Sequence, residues 1–437
     1  MERTKVLIIG AAGRDFHNFN VLYRGRKEYQ VAAFTAAQIP DIEGRTYPPE
    51  LAGKDLYPRG IPILAESELE SIIHEHKVDE AVFSYSDVSY QKIMSISSKV
   101  NAAGADFVLI GAERTMLKAN VPVISVCAVR TGSGKSQTTR KICKILKAKG
   151  RRVVAIRHPM PYGDLVAQKV QRYANYEDLD RHKCTIEERE EYEPHIDEGI
   201  IVYAGVDYGA ILAEAEKEAD VIVWDGGNND TSFYKPDLLI VIADPLRPGH
   251  EVSYYPGETN LRMADVVIIN KIDSADRKNV ESVRDSVEAE NPDAIIIEAE
   301  SPITVERPEA VKGKDVLVVE DGPTLTHGEM TYGAGMVAAR KYGAKNIVEP
   351  RPYAVGSIIT TFEKYSHLKE LLPAMGYGEV QVRELEETIN KVPCEVVLAG
   401  TPIDLRRVLK INKPIVRVRY TLKERGKPDL EAILAKF

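Results

Sequence analysis

The stretch 124–139, ISVCAVRTGSGKSQTT, constrains the fold of this chain more than any other segment. It predicts a buried strand, a loop that contains Gly132 and Gly134, and a helix that begins near Lys135. Glycines let successive backbone N–H groups turn toward phosphate oxygens, while the helix N-terminus and a lysine supply positive charge. The stretch therefore predicts a phosphate-binding loop at the end of a strand in a parallel α/β sheet.

The residues of this loop have separate expected roles. We expect Lys135 to act in catalysis by neutralising phosphate charge, and the Ser136 hydroxyl to bind Mg2+. The strict eight-residue pattern opens with Gly, whereas this chain has Val129 there. The rest of the loop resembles the variant loop of the SIMIBI class of P-loop NTPases, which usually has Lys at the position of Arg130. The predicted nucleotide-binding residues of the loop are Arg130, Thr131, Gly132, Ser133, Gly134, Lys135, Ser136 and Gln137.

Two later strand ends carry motifs that fit this loop. The segment 219–230, ADVIVWDGGNND, ends a hydrophobic strand at Asp225, a second predicted catalytic residue whose carboxylate would hold Mg2+ through water. The segment 264–276, ADVVIINKIDSAD, ends another strand at Asn270, Lys271 and Asp273. N-K-x-D is the guanine-reading motif of GTPases, in which the carboxylate accepts hydrogen bonds from the guanine edge and the lysine stem covers the ring. These motifs predict a Mg2+-dependent nucleotide site that favours GTP, with ATP as the alternative.

Composition limits the class of protein. At 437 residues the chain should hold two or three α/β domains, and its net charge of -8 predicts no attraction to nucleic acid or to anionic membranes. The 4 cysteines lack C-x-x-C spacing, the first residues do not read as a signal peptide, and no apolar run reaches transmembrane length. We expect a cytoplasmic protein, and the many Lys, Arg and Glu residues hint at a thermophile.

The N-terminal region, residues 1–121, predicts a Rossmann-like unit. The segment 5–20, KVLIIGAAGRDFHNFN, reads as a strand, a loop with two glycines and a helix, and further strands alternate with helices up to residue 110. A dinucleotide site would place an acidic residue near the end of the second strand, where this chain has Ala33–Ala36. We therefore expect an anionic ligand or no ligand there, not NAD. Arg14 and His17 in the first loop either bind substrate or cap the first helix.

The P-loop NTPase unit is expected at 122–320 and a C-terminal α/β region at 321–437. The charged insertion at about 169–198 predicts solvated helices, or alternatively a mobile lid or a dimer contact, and we expect a homodimer. Two late strands, near 394–398 and 414–420, should form part of the third region or complete the P-loop sheet. Polar residues at strand carboxyl ends are further substrate candidates. These candidates are Arg157, His158, Arg247 and His250, with His327 in a glycine-rich loop of the third region.

Six segments together resemble one family over nearly the whole chain: GAAGRDFHNFN, RTGSGKS, WDGGNND, DPLRPGHE, NKID and GTPIDLRRVL. It is the family of predicted GTPases commonly labelled cyclic 2,3-diphosphoglycerate synthetase. The resemblance implies activation of 2,3-diphosphoglycerate by a nucleoside triphosphate with Mg2+, followed by closure to an intramolecular anhydride. Such an anionic phosphorylated substrate would need many cationic groups, for which the arginine and histidine candidates are available. The alternative is a regulatory or metal-insertion GTPase that acts on a protein partner, and GTP and ATP both stay open.

Overall fold

The computed structural model describes residues 3–36, 42–158, 160, 163–227, 230–322, 325, 331–376 and 378–437. Within these ranges the chain forms three main β-sheets, most of whose strand pairs are parallel, so the predicted α/β fold class is confirmed. Buried strands such as Leu238–Ala243, LLIVIA, are hydrophobic at every position because helices cover both faces of a parallel sheet. None of the described helices is long and apolar enough to cross a membrane.

The first sheet has six strands, and it contains the strands that the sequence predicts after Lys5 and near 31–35, 80–84 and 106–110. Neighbouring strands are parallel except at the edge strand Thr46–Tyr47, which the sequence did not predict. In spatial order the strands are Thr46–Tyr47, Ile61–Ala65, Tyr29–Ala36, Thr4–Ile9, Glu80–Phe83 and Asp106–Leu109. Its helices are Arg14–Asn18, the π-helical Phe19–Tyr23, Pro49–Ala52, Leu69–His76 and Tyr90–Ala102.

The second sheet has nine strands and carries the phosphate-binding loop. Its two edge strands are antiparallel to their neighbours, and the inner strands are parallel. In spatial order the strands are Gln171–Tyr173, Ile201–Ala204, Val153–Arg157, Val221–Asp225, Val123–Ala128, Leu238–Ala243, Val266–Ile269, Ile295–Glu300 and Lys423–Arg425. Its helices are Lys135–Ala148, Tyr176–Arg181, Ile186–Asp197, Tyr208–Ala215, Gly257–Met263 and Arg277–Glu290. The strand that ends at Asp225 is thus the direct neighbour of the strand that leads into the loop.

The third sheet contains the two late strands, which therefore do not complete the P-loop sheet. Only Lys423–Arg425 returns to that sheet, as its edge strand. In spatial order the third sheet runs Ile303–Val305, Ile415–Tyr420, Val396–Ala399, Asp315–Asp321 and Asn346–Ile347, and Leu371–Ala374 also pairs with Asp315–Asp321. Its helices are Ala334–Lys341, Ser357–Lys364 and Glu379–Lys391, and the chain ends with Leu430–Ile433.

Short elements connect these units. The strand Val88–Ser89 of the first unit pairs antiparallel with Tyr254–Tyr255 of the P-loop unit, which fixes the two units to each other. Single 3-10 turns lie at Glu66–Glu68, Ala112–Thr115, His250–Val252, Pro308–Ala310, Arg351–Tyr353, Leu405–Arg407 and Leu434–Lys436.

The charged insertion is helical, as predicted, but the prediction that it is solvated is wrong. In its helix Ile186–Asp197, Glu187 is 1% exposed and Glu190 is 4% exposed. Both are buried against the third unit, where the Gly376 N–H donates to Glu187 Oε1 (2.9 Å) and the Thr401 hydroxyl donates to Glu190 Oε1 (2.5 Å). The insertion therefore joins the P-loop unit to the third unit, because its carboxylates find hydrogen-bond donors there.

Candidate active site

The phosphate-binding loop follows the strand Val123–Ala128 and ends where the helix Lys135–Ala148 begins. Gly132 and Gly134 have φ of 82° and 110°, which residues with a Cβ rarely adopt. A Cβ added at Gly134 would lie 2.1 Å from Asn270 Nδ2. Glycine is thus required at this position both by the backbone conformation and by the close approach of the N-K-x-D motif.

Side chains from two neighbouring strand ends hold the loop. Asn270 Nδ2 donates to the Ser133 carbonyl (2.9 Å), and Lys271 Nζ donates to the Gly132 carbonyl (2.7 Å). Arg247 Nη2 donates to the Thr131 carbonyl (2.7 Å). Asp244 accepts from both Lys271 and Arg247, each at 2.9 Å. Burial opposes ionisation of Asp244, but these two cations hold its pKa below the usual range. The loop is therefore preorganised by a charged network beneath it.

Asp225 is the buried centre of the site. Its carboxylate pairs with Lys135 Nζ (2.6 Å) and Arg157 Nη1 (2.7 Å), and it accepts from Thr139 Oγ1 (3.1 Å). Burial lowers the pKa of His195, so we assign a neutral ring that donates from Nε2 to Asp225 (3.0 Å). Burial opposes ionisation of Asp225, yet Arg157 and Lys135 hold its pKa well below the usual range. Asp225 thus binds the lysine that we expect to neutralise the nucleotide phosphates.

Arg130, which the sequence predicts to bind nucleotide, is held by contacts with the first unit and with the segment after the strand Leu238–Ala243. Its guanidinium donates from Nε to Asp87 Oδ1 (2.7 Å), bonds through Nη1 to His250 Nδ1 (2.6 Å), and lies 3.7 Å from the centre of the Tyr254 ring. Asp87 belongs to the first unit, and Arg130 is 2% exposed. The side chain therefore ties the first unit to the phosphate-binding loop, with its charge neutralised by Asp87.

The predicted base-reading residue lies beside the strand end at Ser301. Asp273 Oδ1 accepts from the Ser301 N–H (2.9 Å), and Gln137 Nε2 donates to the Ser301 hydroxyl (3.1 Å). The segment 298–302 occupies, by position in the chain only, the place of the loop that closes over the base in GTPases. The structure brings this segment, Asp273 and Gln137 together at one edge of the phosphate-binding loop.

Most of the predicted substrate cations lie away from this site. Arg14 pairs with Asp230 (2.8 Å) and lies 4.3 Å from the centre of the Phe233 ring, while His17 stacks on the same ring at 4.1 Å. Burial lowers the pKa of His17 to about 3, so it is neutral at pH 7. His158 lies 3.4 Å from Asp230 Oδ2.

These three residues fill the contact between the first unit and the P-loop unit, and Arg247 and His250 support the loop from outside. Only Arg157 among the described candidates lines the cavity that the loop faces. His327 lies outside the described residues.

A cavity of about 720 Å³ extends from the phosphate-binding loop to the third unit. Lys135, Ser136 and Lys271 line its nucleotide end. The opposite end is formed where the strands Asp315–Asp321 and Val396–Ala399 stop, so two sheets direct their carboxyl ends at one cavity. The residues that line that end are Glu320, Asp321, Tyr332, Gly333, Ala334, Val337, Arg340, Lys341, Gly400 and Tyr420.

The acidic residues of this cavity were not among the site residues predicted from the sequence. Glu191, which pairs with Arg157, comes from the charged insertion and also lines the cavity. Glu320 and Asp321 end the strand Asp315–Asp321, and two acidic residues after a hydrophobic run were a usable signal. The charge of the insertion was also visible, but its contact with Asp225 and with the third unit depends on pairs that are distant in sequence.

The parallel sheet, the loop that leads into a helix, and the acid on the adjacent strand together define a P-loop NTPase. No protein-family model matches the chain. The chain is 63% identical over 436 residues to arginine synthetase ArcE of Thermococcus kodakarensis, a match that covers 100% of this chain and 97% of that protein. The chain therefore belongs to the family of arginine synthetase ArcE. This relative bears a different name from the cyclic 2,3-diphosphoglycerate synthetase that the sequence motifs resemble.

Two solved structures are also similar to the chain. LpxK from Aquifex aeolicus in complex with ATP has 15% identity and a TM-score of 0.46, and the match covers 79% of this chain and 95% of that one. Cobyrinic acid a,c-diamide synthase from Mycobacterium smegmatis, with a bound ATP analog and magnesium, has 19% identity and a TM-score of 0.18. That match covers 40% of this chain and 70% of that one.

Proposed function

We propose that this protein is a nucleotide-dependent ligase that forms arginine. One observation supports the proposal in addition to the similarity to arginine synthetase ArcE. A single cavity joins a phosphate-binding loop to the carboxyl groups of Glu191, Glu320 and Asp321. A ligand with a cationic group can pair with these carboxyl groups, and a nucleotide fits the phosphate-binding loop. Arginine is cationic, whereas 2,3-diphosphoglycerate is not.

The chemistry follows from the bond that such a ligase must form. A ureido oxygen is a poor leaving group, so we propose that its attack on the γ-phosphorus forms an O–P bond and releases the nucleoside diphosphate. A nitrogen nucleophile then adds to the ureido carbon, loses a proton and expels phosphate, which completes the guanidinium group. Both steps take place within one cavity. Water must be excluded from it, because hydrolysis would waste the activated group.

The residues of the nucleotide end suit the first step. Backbone N–H groups of the loop and the Lys135 ammonium neutralise the charge that develops on the transferred phosphoryl group. Arg157 pairs with Glu191 and lines the cavity, so its guanidinium is placed to neutralise the charge on the transferred phosphoryl group. Ser136 and Asp225 supply a hydroxyl and a carboxylate, the oxygen donors that Mg2+ prefers, and would hold the ion, which neutralises phosphate charge when bound. In this proposal Lys135 exchanges Asp225 for the nucleotide.

The cyclic 2,3-diphosphoglycerate reaction is less well supported by the site. Of the described residues that the resemblance implied as contacts for that substrate, only Arg157 lines the cavity, where Arg340 and Lys341 are further cations. A regulatory GTPase would need a protein partner, and no feature of the cavity calls for one. The nucleotide is GTP if Asp273 reads the base and ATP if Asp273 only supports Ser301.

The test is product formation by the purified protein with Mg2+, ammonium chloride and citrulline as the ureido probe, with ATP and GTP in separate reactions. We expect arginine by mass spectrometry and one equivalent of inorganic phosphate by phosphorus NMR. Reactions with 2,3-diphosphoglycerate and with no acceptor serve as comparisons, and the Lys135→Ala variant controls for contaminating enzymes. Phosphate release that is equal with and without citrulline, or a cyclic anhydride from 2,3-diphosphoglycerate, would exclude the proposal.

A further inference from the structure

The two carboxylate oxygens of Asp225 have different partners. Oδ1 accepts from Lys135 Nζ (2.6 Å) and from the Thr139 hydroxyl (3.1 Å), and both donors lie on the helix that follows the phosphate-binding loop. Oδ2 accepts from His195 Nε2 (3.0 Å) and lies 2.7 Å from Arg157 Nη1. The two oxygens are therefore held by different parts of the chain, and His195 is the contribution of the charged insertion to this carboxylate.

His195 supplies the directed contact on Oδ2. Arg157 Nη1 is at ion-pair distance from this oxygen, but the contact lacks the geometry of a hydrogen bond. Within the described ranges, the bond from His195 Nε2 is the one hydrogen bond that Oδ2 accepts. Hydrogen bonds are directional, whereas the attraction between two charges depends mainly on their distance. The orientation of the Asp225 carboxylate at Oδ2 thus depends on His195.

The two cations on Asp225 can exchange it for another partner. Lys135 and Arg157 both line the cavity that the phosphate-binding loop faces, where phosphate groups would compete with Asp225 for them. His195 and Thr139 are not among the described residues that line this cavity. When a nucleotide takes the two cations, these two uncharged donors are left to hold the carboxylate, one on each oxygen.

The ring of His195 is committed to Asp225. It is 2% exposed, and its buried Nδ1 has no hydrogen-bond partner among the described residues. A buried polar atom without a partner is unfavourable, so a histidine here costs stability that its Nε2 contact must offset. The helix Ile186–Asp197, which carries His195, is fixed to the third unit by Glu187 and Glu190. The packing of the insertion therefore holds the ring on Asp225.

We propose that His195 is a positioning residue for the phosphoryl-transfer step: its Nε2–H holds Asp225 Oδ2, so that Oδ1 stays in place for Mg2+ when Lys135 turns to the nucleotide. The assignment rests on the proposed function, because it assumes a nucleotide that takes Lys135 from Asp225. It goes beyond that function by giving the charged insertion, which lies outside every sequence motif, a part in the nucleotide site.

The test compares two variants of His195 in the full-length protein. A glutamine amide can place an N–H donor where Nε2 lies, whereas the shorter asparagine amide reaches only the position of Nδ1. Binding of Mn2+, used in place of Mg2+, is measured by electron paramagnetic resonance with the imido analogues of ATP and GTP. We expect His195→Asn to weaken Mn2+ binding about tenfold or more and His195→Gln to restore most of the affinity. Binding of the analogues without metal should be similar in all three proteins.

The next residue on the same helix provides a matched control. Ile196 packs into a hydrophobic cluster with Leu179 and Val202. Ile196→Ala should lower the urea midpoint through loss of packing and leave Mn2+ binding unchanged. If this variant does not fold, the smaller change Ile196→Val serves the same purpose.

A measurement on the native protein needs no substitution. In protein with 15N-labelled histidine, NMR should show the Nε2–H tautomer of His195 both without ligand and with an imido analogue and Mg2+. This readout keeps the proposal testable if His195→Asn does not fold.

Unchanged Mn2+ affinity in His195→Asn, an equal loss in His195→Gln or in Ile196→Ala, or an Nδ1–H tautomer in the native protein would each refute the positioning role. The outcome for the ligase reaction is independent. Arginine synthesis by the native protein combined with native Mn2+ affinity in His195→Asn would refute this role and leave the function in place. The expected pattern of Mn2+ affinities without arginine synthesis would support this role and refute the proposed reaction.

Discussion

Replacing Arg130 by methionine should separate the first unit from the phosphate-binding loop and lower the free energy of unfolding. The change removes the ion pair with Asp87 and the contact with Tyr254, and it leaves Asp87 buried, with its side chain 4% exposed. Loss of one partner of a buried ion pair costs about 3–5 kcal/mol. The cation–π contact adds roughly 1 kcal/mol. We expect a loss of about 4 kcal/mol, because the backbone N–H of Thr131 still reaches Asp87 at 3.4 Å.

The double variant Arg130→Met with Asp87→Leu tests the origin of this loss. Removing both charges avoids an unpaired buried carboxylate, so the double variant should be more stable than Arg130→Met alone. Urea denaturation followed by circular dichroism gives the stabilities, and unfolding in separate steps should show the first unit melting first. His250 gives a second readout. Burial and then Arg130 lower its pKa in the native protein, so its pKa by NMR should rise in Arg130→Met.

A different result would restore the interpretation drawn from the sequence. If Arg130→Met unfolds within about 1 kcal/mol of the native protein but loses nucleotide affinity, the guanidinium binds phosphate and does not anchor the first unit.

Three other variants test the nucleotide site and the insertion. Lys135→Ala should abolish nucleotide turnover by phosphate release while leaving the circular dichroism spectrum unchanged, and near-normal turnover would remove the P-loop assignment. Asp273→Asn should weaken GTP binding by about 2 kcal/mol or more and improve binding of xanthosine triphosphate if Asp273 reads guanine; unchanged base preference in competition binding would favour ATP. Glu187→Gln should raise stability at pH 8 by up to about 3 kcal/mol and not at pH 4. Burial raises the pKa of Glu187 from 4.5 to about 7, so the native state binds this proton more tightly and loses stability as pH rises through that range; equal urea midpoints at pH 8 would contradict this.

The strands that could be predicted are those whose local hydrophobic pattern fits a buried strand and no other element. Val123–Ala128, Leu238–Ala243 and Val266–Ile269 are short hydrophobic runs that end in glycine or in polar residues, and each lies in the centre of the P-loop sheet. The edge strands Gln171–Tyr173 and Lys423–Arg425 escaped prediction because half-exposed positions and charged residues give them no such pattern. These two edge strands form because each pairs with a neighbouring strand of the sheet, and the local sequence does not show that pairing.

The insertion shows a second limit of local sequence. A run of charge usually indicates a solvated helix, and nothing within residues 169–198 contradicts that interpretation. The partners of Glu187 and Glu190 are Gly376 and Thr401, about two hundred residues later in the chain. The sequence likewise did not predict that His195 contacts Asp225, to which it hydrogen bonds through the same packing.

The substrate class depends on this long-range packing more than on any motif. The family resemblance implied an anionic substrate, and basic residues of the predicted loops were the candidate contacts for it. However, the carboxyl end of the first sheet faces the P-loop unit, so Arg14 is neutralised by Asp230 at that contact. The end of the third sheet instead faces the cavity, where Glu320 and Asp321 lie beside Arg340 and Lys341. The charge that a ligand meets is set by which sheet end stays open, and here that end carries both signs. The ligand contacts therefore depend on how the units pack, although the sequence contains many basic candidates.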